Sequence, residues 1–208
     1  MTQQTWIAFF VASWLISLSP GAGAIKSMST GMRYGYRKGL WNIFGLQLGV
    51  IFLIAIVAAG LGAVLAASQH AFMVIKWLGV VYLVWLGIQQ WRAEPQPIEF
   101  HDEGGHTPRQ LVVEGFLVNA SNPKGIVFML AVLPQFINPH AAQAQQYLIC
   151  AGTLMFTDVV VMSGYTLLAS RVLSALREAH HIKWMNRTFG SLFVGAGALL
   201  ATFKRSAE

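Results

Sequence analysis

Six apolar runs, at 6–25, 40–67, 72–91, 113–136, 147–169 and 189–203, constrain this chain more than any other feature of it. A helix needs about 20 apolar residues to cross a bilayer core. The last run is the shortest and extends back toward Trp184. Inside hydrocarbon every backbone N–H and C=O must be satisfied within the protein, which leaves helices or closed barrels. Runs of this length predict helices, so the expected fold is an all-α membrane protein of six transmembrane helices. Only 11% of the residues are charged and mean hydropathy is +0.55. A soluble domain carries roughly 25% charged residues, so too little polar surface is available to face water all round.

The net charge of +6 does not point to nucleic acid, because the cations follow the loops and no basic patch is interleaved with exposed aromatics. The loops after the first, third and fifth runs hold ten Lys and Arg: Lys26, Arg33, Arg37, Lys38, Arg92, Arg109, Arg171, Arg177, Lys183 and Arg187. The opposite side holds Lys76, Lys204 and Arg205. The positive-inside rule makes the first side cytoplasmic and predicts both termini in the periplasm. Trp6, Trp41, Trp77, Trp91 and Trp184 fall near run ends, as an interfacial aromatic belt requires. Trp6 to Leu18, followed by Ala22-Gly23-Ala24, imitates a cleaved signal peptide, but no Lys or Arg precedes it, so retention is expected.

The polar stretch 92–112 contains Pro95, Pro97, Gly104 and Gly105 and reads as a cytoplasmic linker. It separates a first three-helix half, 1–91, from a second, 113–208. An odd number of spans per half inverts the second half relative to the first, so related halves would form an inverted repeat. Ser19-Pro20-Gly21 lies in the first run and Asn122-Pro123-Lys124-Gly125 in the fourth, which are matching places. Proline removes a backbone donor and crowds the preceding turn. The expected result is a broken first helix and a broken fourth helix, whose freed polar groups line a cavity. Ser19, Pro20, Gly21, Asn122, Pro123 and Lys124 are therefore the candidate substrate and gating residues.

Lys124 and Asp158 are the cation and the anion that fall at the middle of the runs. Isolated charges at that depth are costly. A Lys124–Asp158 pair is geometrically open, and so is a role for Asp158 in proton coupling. Gln47, Asn119 and Thr157 are supporting polar residues, and Gly45-x-x-x-Gly49 marks close helix packing. Arg171 to Lys183 reads as an interfacial helix. A single cysteine, Cys150, excludes an internal disulfide, and the six histidines fall in loops or at run ends. No paired soft ligands for a metal, no cofactor motif and no catalytic residues are assigned, so an enzyme is not expected.

LSPGAGAI at 18–25, KWLGVVYLVWLGIQQWRA at 76–93, NPKGIVF with a following PQF within 122–136, and FGSLFVGAGALLA at 189–201 resemble the LysE/RhtB family of bacterial amino-acid exporters over essentially the whole length. The resemblance is strongest to the homoserine branch, where Ala22 follows Ser-Pro-Gly in place of the proline common in the wider family. It implies an inner-membrane exporter of homoserine, its lactone and related amino acids such as threonine, driven by the proton-motive force. The implied partners are an amino-acid substrate, protons and the lipid bilayer, with no nucleic acid; a homo-oligomer stays open. Export of leucine or of lysine and arginine is the nearest alternative, and a non-transport accessory protein the more distant one.

Overall fold

The computed structural model describes residues 1–67, 69–92, 105–138, 141–171 and 179–202. Among them the regular structure is entirely helical. Helix α1, Gln3–Leu18, starts where the Thr2 hydroxyl accepts the Thr5 N–H at 3.2 Å. It stops because the residue before a proline is pushed out of the helical region: Ser19 is extended, at φ −67° and ψ 122°. Helix α2, Ala22–Ala67, then runs for 46 residues. At 1.5 Å per residue a straight helix of that length would span roughly 69 Å, about twice a bilayer core. It bends instead at Gly35, whose φ of 75° is open to a residue without a Cβ.

Helix α3 is Gln69–Arg92 and α4 is Pro108–Ala120. A capping box opens α4: the Gln110 N–H donates to Thr107 Oγ1 (3.3 Å) and the Thr107 N–H to Gln110 Oε1 (2.8 Å). Extended Asn122 then precedes Pro123, which begins the short α5, Pro123–Val127. A π-helical turn, Phe128–Val132, and a 3₁₀ turn, Leu133–Phe136, continue it. The axis turns by 52° between Pro108–Ala120 and Pro123–Phe136. Helices α6, Gln143–Arg171, and α7, Ala179–Thr202, complete the fold.

By length and composition, Ala22–Gly60 and Gln143–Arg171 can each cross a membrane, and the bent pair Pro108–Ala120 with Pro123–Phe136 makes a third. One expectation shifts. The first run does not end in a loop at Ile25: the charged stretch carrying Lys26 and Arg33 is helical as far as the Gly35 bend. Most of the linker, 93–104, and residues 172–178 of the interfacial segment 171–183 lie outside the described residues, as do Lys204 and Arg205, while 179–183 belong to α7.

Leu148, Val81, Leu78 and Phe156 are all more than half exposed. Such side chains on the outside suit a protein whose outer solvent is lipid. The interior is held by close backbone approach. A Cβ on Gly45 would strike the Val112 carbonyl of α4, and one on Gly115 the Asn42 carbonyl of α2. A Cβ on Gly87 of α3 would come within 2.7 Å of the Gly190 carbonyl of α7. Small residues let helices approach without a hydrophobic driving force. Gly45→Leu therefore forces α2 and α4 apart. We expect a loss of about 1–3 kcal/mol of stability, read as a lower melting temperature in detergent, with Gly60→Leu, in open space, as the control that melts normally.

Candidate functional site

Both interruptions open onto one cavity. Its walls include Ser17, Ser19, Gly21, Asn119, Asn122, Lys124 and Asp158, with Leu46, Val50, Phe128 and Met162 among the apolar positions. Counted together with the open solvent at its mouth, it holds about 550 Å³ of empty space.

The local chemistry follows from Pro20. In an unbroken helix the N–H of residue 20 would bond to the carbonyl of Ile16, and the next donors would serve Ser17, Leu18 and Ser19. Proline has no such donor and the turn is lost. Side chains from later in the sequence replace them. The Lys124 ammonium donates to the carbonyls of Ile16 (3.0 Å) and Ser19 (2.6 Å). The Tyr165 hydroxyl donates to the Leu18 carbonyl at 2.7 Å. A cation also suits the negative end of the α1 dipole. Gly21 leaves room for it: a Cβ there would stand 3.1 Å from Lys124 Nζ.

The second break is satisfied more locally. Asn122 Oδ1 accepts the Lys124 N–H at 3.1 Å, and the Asn122 N–H takes the Asn119 carbonyl at 3.2 Å, the group Pro123 leaves without its helical donor. Tyr82 on α3 donates its hydroxyl to the Pro123 carbonyl at 3.1 Å. Asn119 donates to the Leu46 carbonyl of α2 at 2.8 Å, tying α4 to α2 while lining the cavity.

Asp158 enters the cavity from α6. Its Oδ2 accepts the Gln47 side-chain N–H at 2.7 Å. Among the described residues, Lys124 and Asp158 share the cavity but form no ion pair within 4.0 Å. Lys124 is anchored to α1 instead. Thr157, next to Asp158 in sequence, is fully buried; its hydroxyl donates to the Leu154 carbonyl at 3.0 Å and lies 3.4 Å from that of Ser17. Two buried polar atoms here have no partner, Ser19 Oγ and Gln47 Oε1. Of the sequence candidates, Ser19, Gly21, Asn119, Asn122, Lys124 and Asp158 line the cavity; Pro20 and Pro123 make the breaks, Gln47 bonds the carboxylate, and Thr157 is not among the lining residues.

A second polar cluster was not legible as one. Lys26 pairs with Glu114 (2.5 Å), the other oxygen of Glu114 meets His106 Nε2 at 3.0 Å, and His106 Nδ1 meets the Tyr34 hydroxyl. By sequence position Lys26 and His106 are loop residues, and nothing in the spacing links them to Glu114 or Tyr34. Only the helical continuation of α2 past Ile25 brings them to α4.

A chain with two broken helices around a charged cavity can be compared with known proteins. Residues 14–203 match the model of the LysE type translocators. The chain belongs to the LysE family. A relative in Salmonella typhimurium (strain LT2), the homoserine/homoserine lactone efflux protein, is 44% identical over 99% of this chain and 100% of its own length. An uncharacterized membrane protein of Vibrio cholerae is 41% identical over 98% of this chain and 100% of its own length. The leucine efflux protein of Enterobacter sp. (strain 638) is 28% identical over 93% of each. No solved structure matches. The family makes this chain a translocator, and its long apolar helices suit a membrane.

Proposed function

We propose that this LysE-family translocator exports homoserine and homoserine lactone, together with related amino acids such as threonine, across the bacterial inner membrane at the expense of the proton gradient. The observation that carries the reading is the convergence of both helix breaks on one cavity holding Lys124 and Asp158. Identity of 44% to a homoserine/homoserine lactone efflux protein, against 28% to a leucine efflux protein, supports the substrate.

In this reading the chain crosses the membrane six times with both termini periplasmic, as residues 1–91 and 113–208 joined by the cytoplasmic linker 92–112. The packing supports an inverted repeat. Helix α1 lies on α6 and α4 on α2, while α2 pairs with α6 and α3 with α7. Exchanging α1 with α4, α2 with α6 and α3 with α7 maps this set of contacts onto itself. The substrate sits between the halves. Its carboxylate faces the start of α2 at Gly21 and the remaining Lys124 donor, and Asp158 carries the proton coupling. Ser19, Pro20, Gly21, Asn122, Pro123 and Lys124 shape the site and its gates, supported by Gln47, Asn119 and Thr157. No catalytic step is required.

Proteoliposomes containing only this protein test the reading. Labelled homoserine should move under an imposed pH gradient, stop moving with a protonophore, and be displaced by the lactone more strongly than by leucine or lysine. Flux that ignores the gradient would make the protein a channel. Absence of any amino-acid flux in folded protein would favour an accessory role.

A further inference from the structure

The cavity has an unusual charge arrangement. Among the described residues, Lys124 and Asp158 are the ionisable side chains on its walls. Two of the three donors of the Lys124 ammonium are bound to the Ile16 and Ser19 carbonyls, so its charge is held at the end of α1. Helix α1 otherwise offers Ser17 and Ser19, α2 offers Gln47, and α4 offers Asn119, all neutral. Further along α6, Tyr165 spends its hydroxyl on Leu18. Asp158 thus has neutral hydrogen-bond partners, the Gln47 amide and the Ser17 hydroxyl, and among the described residues no cation within ion-pair distance. A carboxyl group placed this way is neutralised either by a proton or by a mobile cation.

We propose that Asp158 receives, in turn, the protonated amine of the substrate and the coupling proton, and that their mutual exclusion at this one carboxylate makes export an exchange. The proposal rests on the export reading and specifies its site. An ammonium group pairs with the ionised carboxylate, and protonation of the carboxylate removes the charge that holds it. One proton therefore leaves when one substrate binds. The unpartnered Ser19 Oγ, fully buried on the same wall, is a further hydrogen-bonding group for the ligand. The ligand class is defined by a free protonated primary amine on a small polar body. Homoserine and its lactone share that amine and differ in the free carboxylate, so one receptor serves both. N-Acylated homoserine and the hydroxy acid with a hydroxyl in place of the amine lie outside the class.

Binding of labelled homoserine to the full-length protein in nanodiscs, from about pH 8 down to about pH 5, tests this directly. Affinity should fall on acidification with a slope approaching tenfold per pH unit, the limit for one competing proton. In weakly buffered solution within that falling range, each binding event should release up to one proton. The lactone should compete, and the N-acetyl and hydroxy-acid analogues should not. Asp158→Asn should bind more weakly, without pH dependence and without proton release, whereas Asp158→Glu should keep both. A flat pH profile in the unmodified protein, competition by N-acetylhomoserine, or a pH dependence that survives in folded Asp158→Asn would overturn the proposal while leaving export intact. If the unmodified, folded protein neither binds nor moves homoserine, the export reading itself fails.

Discussion

Asp158→Asn should reduce gradient-driven homoserine export by roughly 30-fold to 4,000-fold, the range given by about 2–5 kcal/mol for removing one partner of a buried charged contact. The amide is nearly the same size as the carboxylate, and Gln47 can turn its side-chain amide to meet it, so the fold should survive. What is lost is the charge. The protein should therefore reconstitute at normal yield and melt near the normal temperature while its flux no longer responds to a pH gradient. Full gradient-driven flux in this variant would remove Asp158 from the mechanism.

The second large effect concerns Lys124. Lys124→Met removes the donors that hold the Ile16 and Ser19 carbonyls. An unsatisfied backbone group in hydrocarbon costs several kcal/mol, so this variant should melt well below the parent and transport poorly. A double-mutant cycle separates this cause from a simple loss of charge. Pro20→Ala restores the N–H that an unbroken helix directs to Ile16. The destabilisation caused by Lys124→Met should then be smaller in the Pro20→Ala background, with a coupling of about 0.5–3 kcal/mol, the span seen for residues sharing a partner. Strict additivity would mean that Lys124 does not replace the donor missing at Pro20. Transport should stay low in the double variant, because a continuous first helix closes the cavity wall.

The breaks were legible because proline acts on its own neighbours. Ser19-Pro20-Gly21 and Asn122-Pro123-Lys124 carry their consequence within three residues, and the chain is extended at Ser19 and Asn122. Asp158 was legible because a carboxylate in an apolar run has few harmless explanations. The partner of Lys124 was not. Its side chain reaches backbone carbonyls about a hundred positions earlier, and carbonyl groups carry no residue identity for a pattern to read. The Lys26–Glu114–His106 cluster was hidden for a different reason. Charge near an apolar boundary looks like a loop, and only the single bend at Gly35, left by a residue with φ of 75°, shows that the helix runs on past it.

The way α1 is completed bears on how the chain is made. Its last carbonyls, at Ile16, Leu18 and Ser19, are capped by Lys124 and Tyr165, which leave the ribosome more than a hundred residues later. Until they arrive, the nascent first segment holds bare acceptors at the membrane's interior, groups that a chaperone or a membrane protease can recognise as unfinished. Helix α1 is thus a receipt for the rest of the polypeptide: it becomes a quiet, lipid-compatible surface only once residues 124 and 165 have been delivered. A fragment ending before them should be cleared from the membrane, and the same fragment should persist when the missing portion is supplied as a separate chain.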